Sequence, residues 1–300
     1  MTTRSTKRRA RTSRTRPFDV LVASDGSPPA RAAVHAAVGF PWPQHARGAG
    51  VVAWGTEHWA ARFSPDISAG AARVARETER ALRRRWPSAG VEVTSELPAA
   101  AIVRRARAGG VVVVGAHGYA PLERWMLGSV SRAVVRQTTA SVLVVKGRRA
   151  SPRHFVIGYD GSANARRAVA LIAKLAVPRN GRVTVLGLCE VVRAPTIAFL
   201  PPTFRASLAS EVHTVNERRL ATLRRQLERA STALGAAGWR VRTDARGGVA
   251  VRDLIRVGTG LRADVLVLGA RGTSGLRRLV LGSVAEAVLD RSPLPVLIVR

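Results

Sequence analysis

One pattern occurs twice in this chain and narrows its fold more than any other feature. Gly115-Ala-His-Gly118, nine residues, then Gly128-Ser129-Val130 returns as Gly269-Ala-Arg-Gly272, nine residues, then Gly282-Ser283-Val284. Each copy follows an apolar run, at 111–114 or 265–268, and precedes a helix-like stretch and a second apolar run. A strand that ends in glycines and feeds a helix start is a geometry that holds phosphate. The backbone can approach the anion closely, and free amides at the helix start point at it.

The repeat extends well beyond the glycines. Val20-Leu-Val-Ala-Ser-Asp25-Gly-Ser27 corresponds to Phe155-Val-Ile-Gly-Tyr-Asp160-Gly-Ser162. The offset between copies is 135 at the aspartates and 154 at the glycine loops, so the second copy carries 19 additional residues between its motifs. Periodicity predicts strands near 18–24, 50–54, 91–95, 111–115 and 141–146, with helices at 28–40, 70–86, 98–108 and from 129. The second copy predicts strands near 154–160, 182–189, 239–243, 264–269 and 295–299, with helices at 163–176, 207–236, 249–259 and 283–291. Gly90 and Gly238 each follow a helix, where a left-handed terminating residue is expected.

Strands that alternate with helices, several of them apolar throughout, indicate a parallel sheet covered on both faces. The expected fold is α/β: two tandem doubly wound, Rossmann-like domains of five parallel strands each, at 17–147 and 153–300. A basic tail at 1–16, with seven Lys/Arg and no acid, reads as disordered. Ligands in such folds bind beyond the carboxyl ends of the strands, where strand order reverses. The aspartate and the glycine loop of each repeat reach that same rim.

Composition removes several classes. No uncharged apolar run approaches the ~18 residues of a membrane span, so no membrane partner is expected. The apolar run after the tail is broken by Asp19 and Asp25 and does not read as a secretory signal. The single cysteine, Cys189, excludes an internal disulfide and reads as a small buried hydrophobe. A cytoplasmic location is the default expectation. The formal charge of +30 is almost all arginine. It leaves two readings open: contact with nucleic acid or another polyanion, chiefly through the tail, or a solvated arginine-rich surface.

Gly115, Gly118, Gly269 and Gly272 are expected to adopt positive φ and to leave room for a ribose or phosphate. Gly128-Ser129 and Gly282-Ser283 sit at a helix start, where amides and the dipole favour anions. The residues between the glycine pairs read as a flap carrying Glu123-Arg124 and Arg277-Arg278, with His117 or Arg271 in the loop. An arginine there would meet a terminal phosphate. Asp25 and Asp160 are either helix N-caps or carboxylates that accept hydrogen bonds from a nucleoside. No Gly-x4-Gly-Lys-Ser loop and no cluster of His, Glu and Asp is present, so neither a catalytic residue nor a metal ligand is assigned. The expectation is nucleotide binding with slow or no hydrolysis. A polyanion-binding module and a slow ATPase are the competing readings.

The combination of strand-Asp-Gly-Ser, Gly-x2-Gly-x9-Gly-Ser and a final apolar strand, present in both halves, resembles the universal stress protein family. Members with this glycine pattern are typically ATP binders. The resemblance implies ATP, with or without Mg2+, held by Gly115, Gly118, Gly128, Ser129 and Val130 and by Gly269, Gly272, Gly282, Ser283 and Val284. It puts Asp25 and Asp160 at the adenosine end and brings the backbone of Ala53 and Leu188 to the adenine. It implies a stress-response or signalling role, a pseudo-dimer of the two domains through the last strands at 142–145 and 296–299, and room for a homodimer of the whole chain. Two departures stand out. The first repeat is shorter around its third helix, which is expected to be cramped. The second carries an apolar insertion at 194–204, read as a surface loop or a lid.

Overall fold

The computed structural model describes residues 18–55, 64–118, 127–147, 151–193, 201–272 and 281–300. The 1–16 tail, both arginine-bearing flap segments and most of the 194–204 insertion lie outside the described residues. The first repeat runs β1 (Phe18–Ala23), α1 (Pro28–Gly39), β2 (Ala46–Ala53), α2 (Ser64–Arg83), β3 (Val91–Thr94), α3 (Pro98–Arg105), β4 (Val111–Gly115), α4 (Ser129–Gln137) and β5 (Ser141–Val145). The second runs β6 (His154–Tyr159), α5 (Ala163–Ala173), β7 (Arg182–Cys189), α6 (Pro202–Ala236), β8 (Arg240–Gly247), α7 (Ala250–Gly260), β9 (Val265–Gly269), α8 (Ser283–Arg291) and β10 (Val296–Val299).

The strands form one sheet in the order β3-β2-β1-β4-β5-β10-β9-β6-β7-β8. Pairing is parallel within each half and antiparallel where β5 meets β10. Both halves are therefore doubly wound, with strand order reversing between β1 and β4 and between β6 and β9. Central strands such as β4 and β5 are buried at every residue, which explains their unbroken valine runs. One core layer packs α1, α2, α5 and α6 on one face, and a second packs α3, α4, α7 and α8 on the other. Each layer is continuous across the boundary between halves. An aromatic chain, Phe18-Trp42-Phe40-Phe155-Trp239, crosses that boundary with ring centroids 4.2 to 5.9 Å apart.

The β5–β10 register sets Leu143 opposite Leu297, flanked by Val144 with Val296 and Val142 with Ile298. Positions 143 and 297 are equivalent under the 154-residue offset, so a pseudo-twofold axis passes through this pair. The last strands meet as the resemblance implies.

Several local expectations are corrected. β2 begins at Ala46 rather than 50, because Gly48 and Gly50 are strand residues with neighbours close on them. A Cβ at Gly48 would lie 2.1 Å from the Trp86 ring, and one at Gly50 would lie 2.7 Å from Val91. Gly238 does terminate α6 in the left-handed region, at φ +93, but Gly90 does not have a positive φ. α2 ends at Arg83, and the Gly90 carbonyl instead accepts from the Gly50 amide at the start of β3. α2 and α6 also begin five or six residues earlier than expected. α3 spans 8 residues against 11 in α7, as the shorter first repeat requires.

Candidate functional site

Each half has a cavity at its strand-order reversal. The first, of about 260 Å³, is lined by Asp25, Ala53, Gly115, Gly118, Gly128, Ser129 and Val130, all seven of the first-repeat residues singled out from the sequence. The second, of about 230 Å³, is lined by Asp160, Leu188, Gly269, Gly272, Gly282, Ser283 and Val284, the seven counterparts. These volumes lie just below the usual ~300–1,000 Å³ of small-molecule sites.

Gly115 and Gly269 are required by space, not by backbone sign, while Gly118 and Gly272 leave room for the aspartate tip. None of Gly115, Gly118, Gly269 or Gly272 has a positive φ, contrary to expectation; that conformation falls on Gly26 and Gly161, at +78 and +77. A Cβ at Gly115 would sit 2.8 Å from the Pro29 backbone, and one at Gly269 would sit 2.7 Å from Asn164 Cβ and 2.8 Å from its carbonyl carbon. A Cβ at Gly118 or Gly272 would come 2.7 Å from Oδ2 of Asp25 or Asp160. The glycine loop is thus pressed against the α1 or α5 start, with the aspartate leaning over it.

The aspartates are not the N-caps. Ser27 and Ser162 are, each accepting from the amide three residues on, at 3.3 and 3.1 Å. Oδ1 of Asp25 and of Asp160 accepts from the Ser27 or Ser162 amide at 2.9 Å. That bond orients the carboxylate and leaves Oδ2 over the cavity, on an exposed side chain.

α4 and α8 begin differently from α1 and α5. Their N-cap residues are Gly128 and Gly282, and neither start has a side-chain cap. The Gly128 and Gly282 amides donate to the Ala116 and Ala270 carbonyls at 2.7 and 2.8 Å, which draws the helix start back onto the glycine loop. Ser129 and Ser283 stand at the first helical position. The first-turn amides of a capless helix, with its positive dipole end, form an anion site.

Sequence reasoning missed the apolar wall. Val51, Ile102 and Pro98 line the first cavity beside Ala53, and Leu186, Leu254 and Ala250 line the second beside Leu188. Positions 51 and 53, like 186 and 188, share a strand face, so the period of two held the signal for half of that wall. Ser131 was missed as well. It is buried, and its hydroxyl donates to the Gly115 carbonyl at 2.6 Å. The second repeat has Ala285 there and holds its loop instead through Ser162 Oγ and Asn164 Nδ2, which donate to the Arg271 carbonyl at 3.3 and 3.2 Å. His117 and Arg271 line their respective cavities. Burial first, and then the nearby Arg271, lower the Arg300 guanidinium below its ordinary value.

Fold and site together define a tandem doubly wound α/β protein with a glycine-bounded, anion-ready mouth in each half. The chain belongs to the Universal stress protein family, whose sequence profile matches residues 18–146 and again 152–300. It is 28% identical over 260 residues to a universal stress protein of Mycobacterium tuberculosis, covering 82% of this chain and 79% of the relative. It is 30% identical over 151 residues to one of Thermus aquaticus, covering 48% of this chain and 96% of that one. Among solved structures, a universal stress protein from Archaeoglobus fulgidus superposes with a TM-score of 0.65 at 17% identity, over 95% of this chain and 99% of that one. A likeness at that identity speaks to the fold alone. Among the described residues, no helix is long and apolar enough to cross a membrane.

Proposed function

We propose that each half binds an adenine nucleotide, ATP in the first instance, and that occupancy serves a stress-response or signalling role with slow or no hydrolysis. The observation that carries this reading is the contrast at the rim: α1 and α5 are capped by serines, whereas α4 and α8 start without a side-chain cap inside a cavity bounded by glycines. Phosphates lie on the first-turn amides of α4 and α8, with the Ser129 and Ser283 hydroxyls adding a donor each. The free oxygen of Asp25 or Asp160 accepts from ribose hydroxyls. The base packs on the apolar wall and meets the backbone of Ala53 or Leu188. Mg2+, when bound, would neutralise the phosphates. Among the described residues, no three His, Cys, Asp or Glu side chains gather to hold a metal.

Mass spectrometry of small molecules released from freshly purified protein tests this directly and names the nucleotide. Titration calorimetry should give micromolar-range binding at up to two sites per chain. A Gly128→Val, Gly282→Val variant should lose most of it, as should the gentler Asp25→Ala, Asp160→Ala variant. Undiminished binding in both would end this assignment.

The charge of +30 favours a second, separate reading, in which the 1–16 tail contacts nucleic acid. Deleting the tail should then lower affinity for nucleic acid and flatten its salt dependence. Unchanged binding after the deletion would remove that role.

A further inference from the structure

Opposite charges occupy twofold-equivalent positions on the two helices that flank the β5–β10 seam. Under the 154-residue offset, Arg132 of α4 matches Glu286 of α8, and Arg136 matches Asp290. Arg132 lies 3.8 Å from Glu286, so these equivalent residues face each other across the pseudo-twofold axis. Arg132 also donates to Asp290 at 2.9 and 3.2 Å, and the twofold mate of that contact is the Arg136–Glu286 ion pair. Each of these pairings joins a basic first-domain residue to an acidic second-domain one.

We propose that this charge arrangement is a mating code, which makes the first domain accept an acidic α8-type face, that of the second domain, and reject a copy of itself. The twofold symmetry makes the consequence of wrong pairing definite. Two first domains joined through β5 would bring Arg132 onto Arg132 and Arg136 onto Arg132. Two second domains joined through β10 would bring Glu286 onto Glu286 and Asp290 onto Glu286.

Some other seam contacts also differ between the halves: the Arg300 amide donates to Ser141 Oγ, where the second domain has Pro295, and Phe40 meets Phe155, where the equivalents are Leu175 and Val20. Those differences are in packing and a neutral hydrogen bond, whereas much of the seam is alike. Leu143 and Leu297 are both leucine at the axis. Lys146 and Arg300 are equivalent cations that each reach across to the end of the other domain's phosphate-site helix. Lys146 Nζ donates to the Leu289 and Ser292 carbonyls at 2.5 and 2.8 Å, and the Arg300 guanidinium donates to the Val135 carbonyl. Those clamps would form equally in a homotypic pair. The electrostatic part of the selection rests on the four charged side chains of α4 and α8. All are partly exposed, so their attraction is modest, while like charges forced together penalise the wrong mate strongly.

The test uses the whole chain with a protease recognition sequence in place of 148–150, cleaved in the native state and followed by native mass spectrometry on dilution. The cleaved parent should remain a one-to-one pair of unlike halves. Reversing one side only, with Glu286→Arg and Asp290→Arg, should make the halves separate at a protein concentration at least ~100-fold higher. The four-residue exchange, with Arg132→Glu, Arg136→Asp, Glu286→Arg and Asp290→Arg, should restore pairing to near the parent. Mixing cleaved parent with an isotopically labelled cleaved exchange variant should also yield parent first domain bound to exchanged first domain, a pair that the parent charges forbid. Parent first domains pairing with each other would overturn the proposal. So would a one-sided variant as tight as the parent, or an exchange variant as loose as the one-sided one.

Discussion

Glycines within three residues of each other do different work in the rim loops. A Cβ at Gly269 meets the backbone and Cβ of Asn164, which cannot rotate away, whereas a Cβ at Gly272 meets only the tip of the Asp160 side chain. Gly269→Ala should therefore destabilise the fold by about 1–3 kcal/mol, as overpacking does. Gly272→Ala should leave the thermal transition nearly unmoved and weaken nucleotide binding instead, because the displaced carboxylate loses its place over the cavity. Differential scanning calorimetry and titration calorimetry on the two variants separate these effects; the same losses in both would refute the distinction. Sequence alone marked all of these glycines, because a doubled set at identical spacing seldom arises by chance. It could not say why they are glycine. Positive φ and lack of room leave the same letter in a sequence, and only the position of Pro29 or Asn164 tells them apart.

At the level of elements, Lys146 at the end of β5 ties one domain to the last turn of α8. Burial pushes its ammonium down to about 8, with Asp290 opposing the shift, from an ordinary 10.5. Between those values the unfolded chain binds the proton more fully than the folded one, so stability rises with pH through that window. Below about 8 the penalty for burying the charge is present in full. The expected gain is at most about 3 kcal/mol. Denaturant melts at pH 7.5 and 10 should show it in the parent and not in Lys146→Met. A fall in stability with pH specific to the parent would contradict the argument. Strand and helix kinds were legible wherever period or an unbroken apolar run was strong, as in β4, β9 and α8. The start of β2 was not, because Gly48 and Gly50 read as loop until the Trp86 ring is seen lying on the strand. The walls formed by Ile102 and Leu254 were also out of reach, since they depend on where α3 and α7 settle over the sheet.

Across the whole molecule the two halves share both core layers. Phe155 is fully buried and contacts Phe40 from the first half and Trp239 from the second, at 5.8 and 5.4 Å. Phe155→Ala should destabilise the chain by about 3–5 kcal/mol. It should do so in a single transition, with calorimetric and van't Hoff enthalpies in agreement. Two resolved transitions, with only one displaced by the substitution, would show that the halves unfold independently.

The antiparallel seam between β5 and β10 has a further geometric result. All strands of one half run against those of the other, so the carboxyl ends of the two sets point to opposite sides of the molecule. The two mouths consequently face away from each other. A ligand entering one mouth therefore approaches from the side opposite to a ligand entering the other.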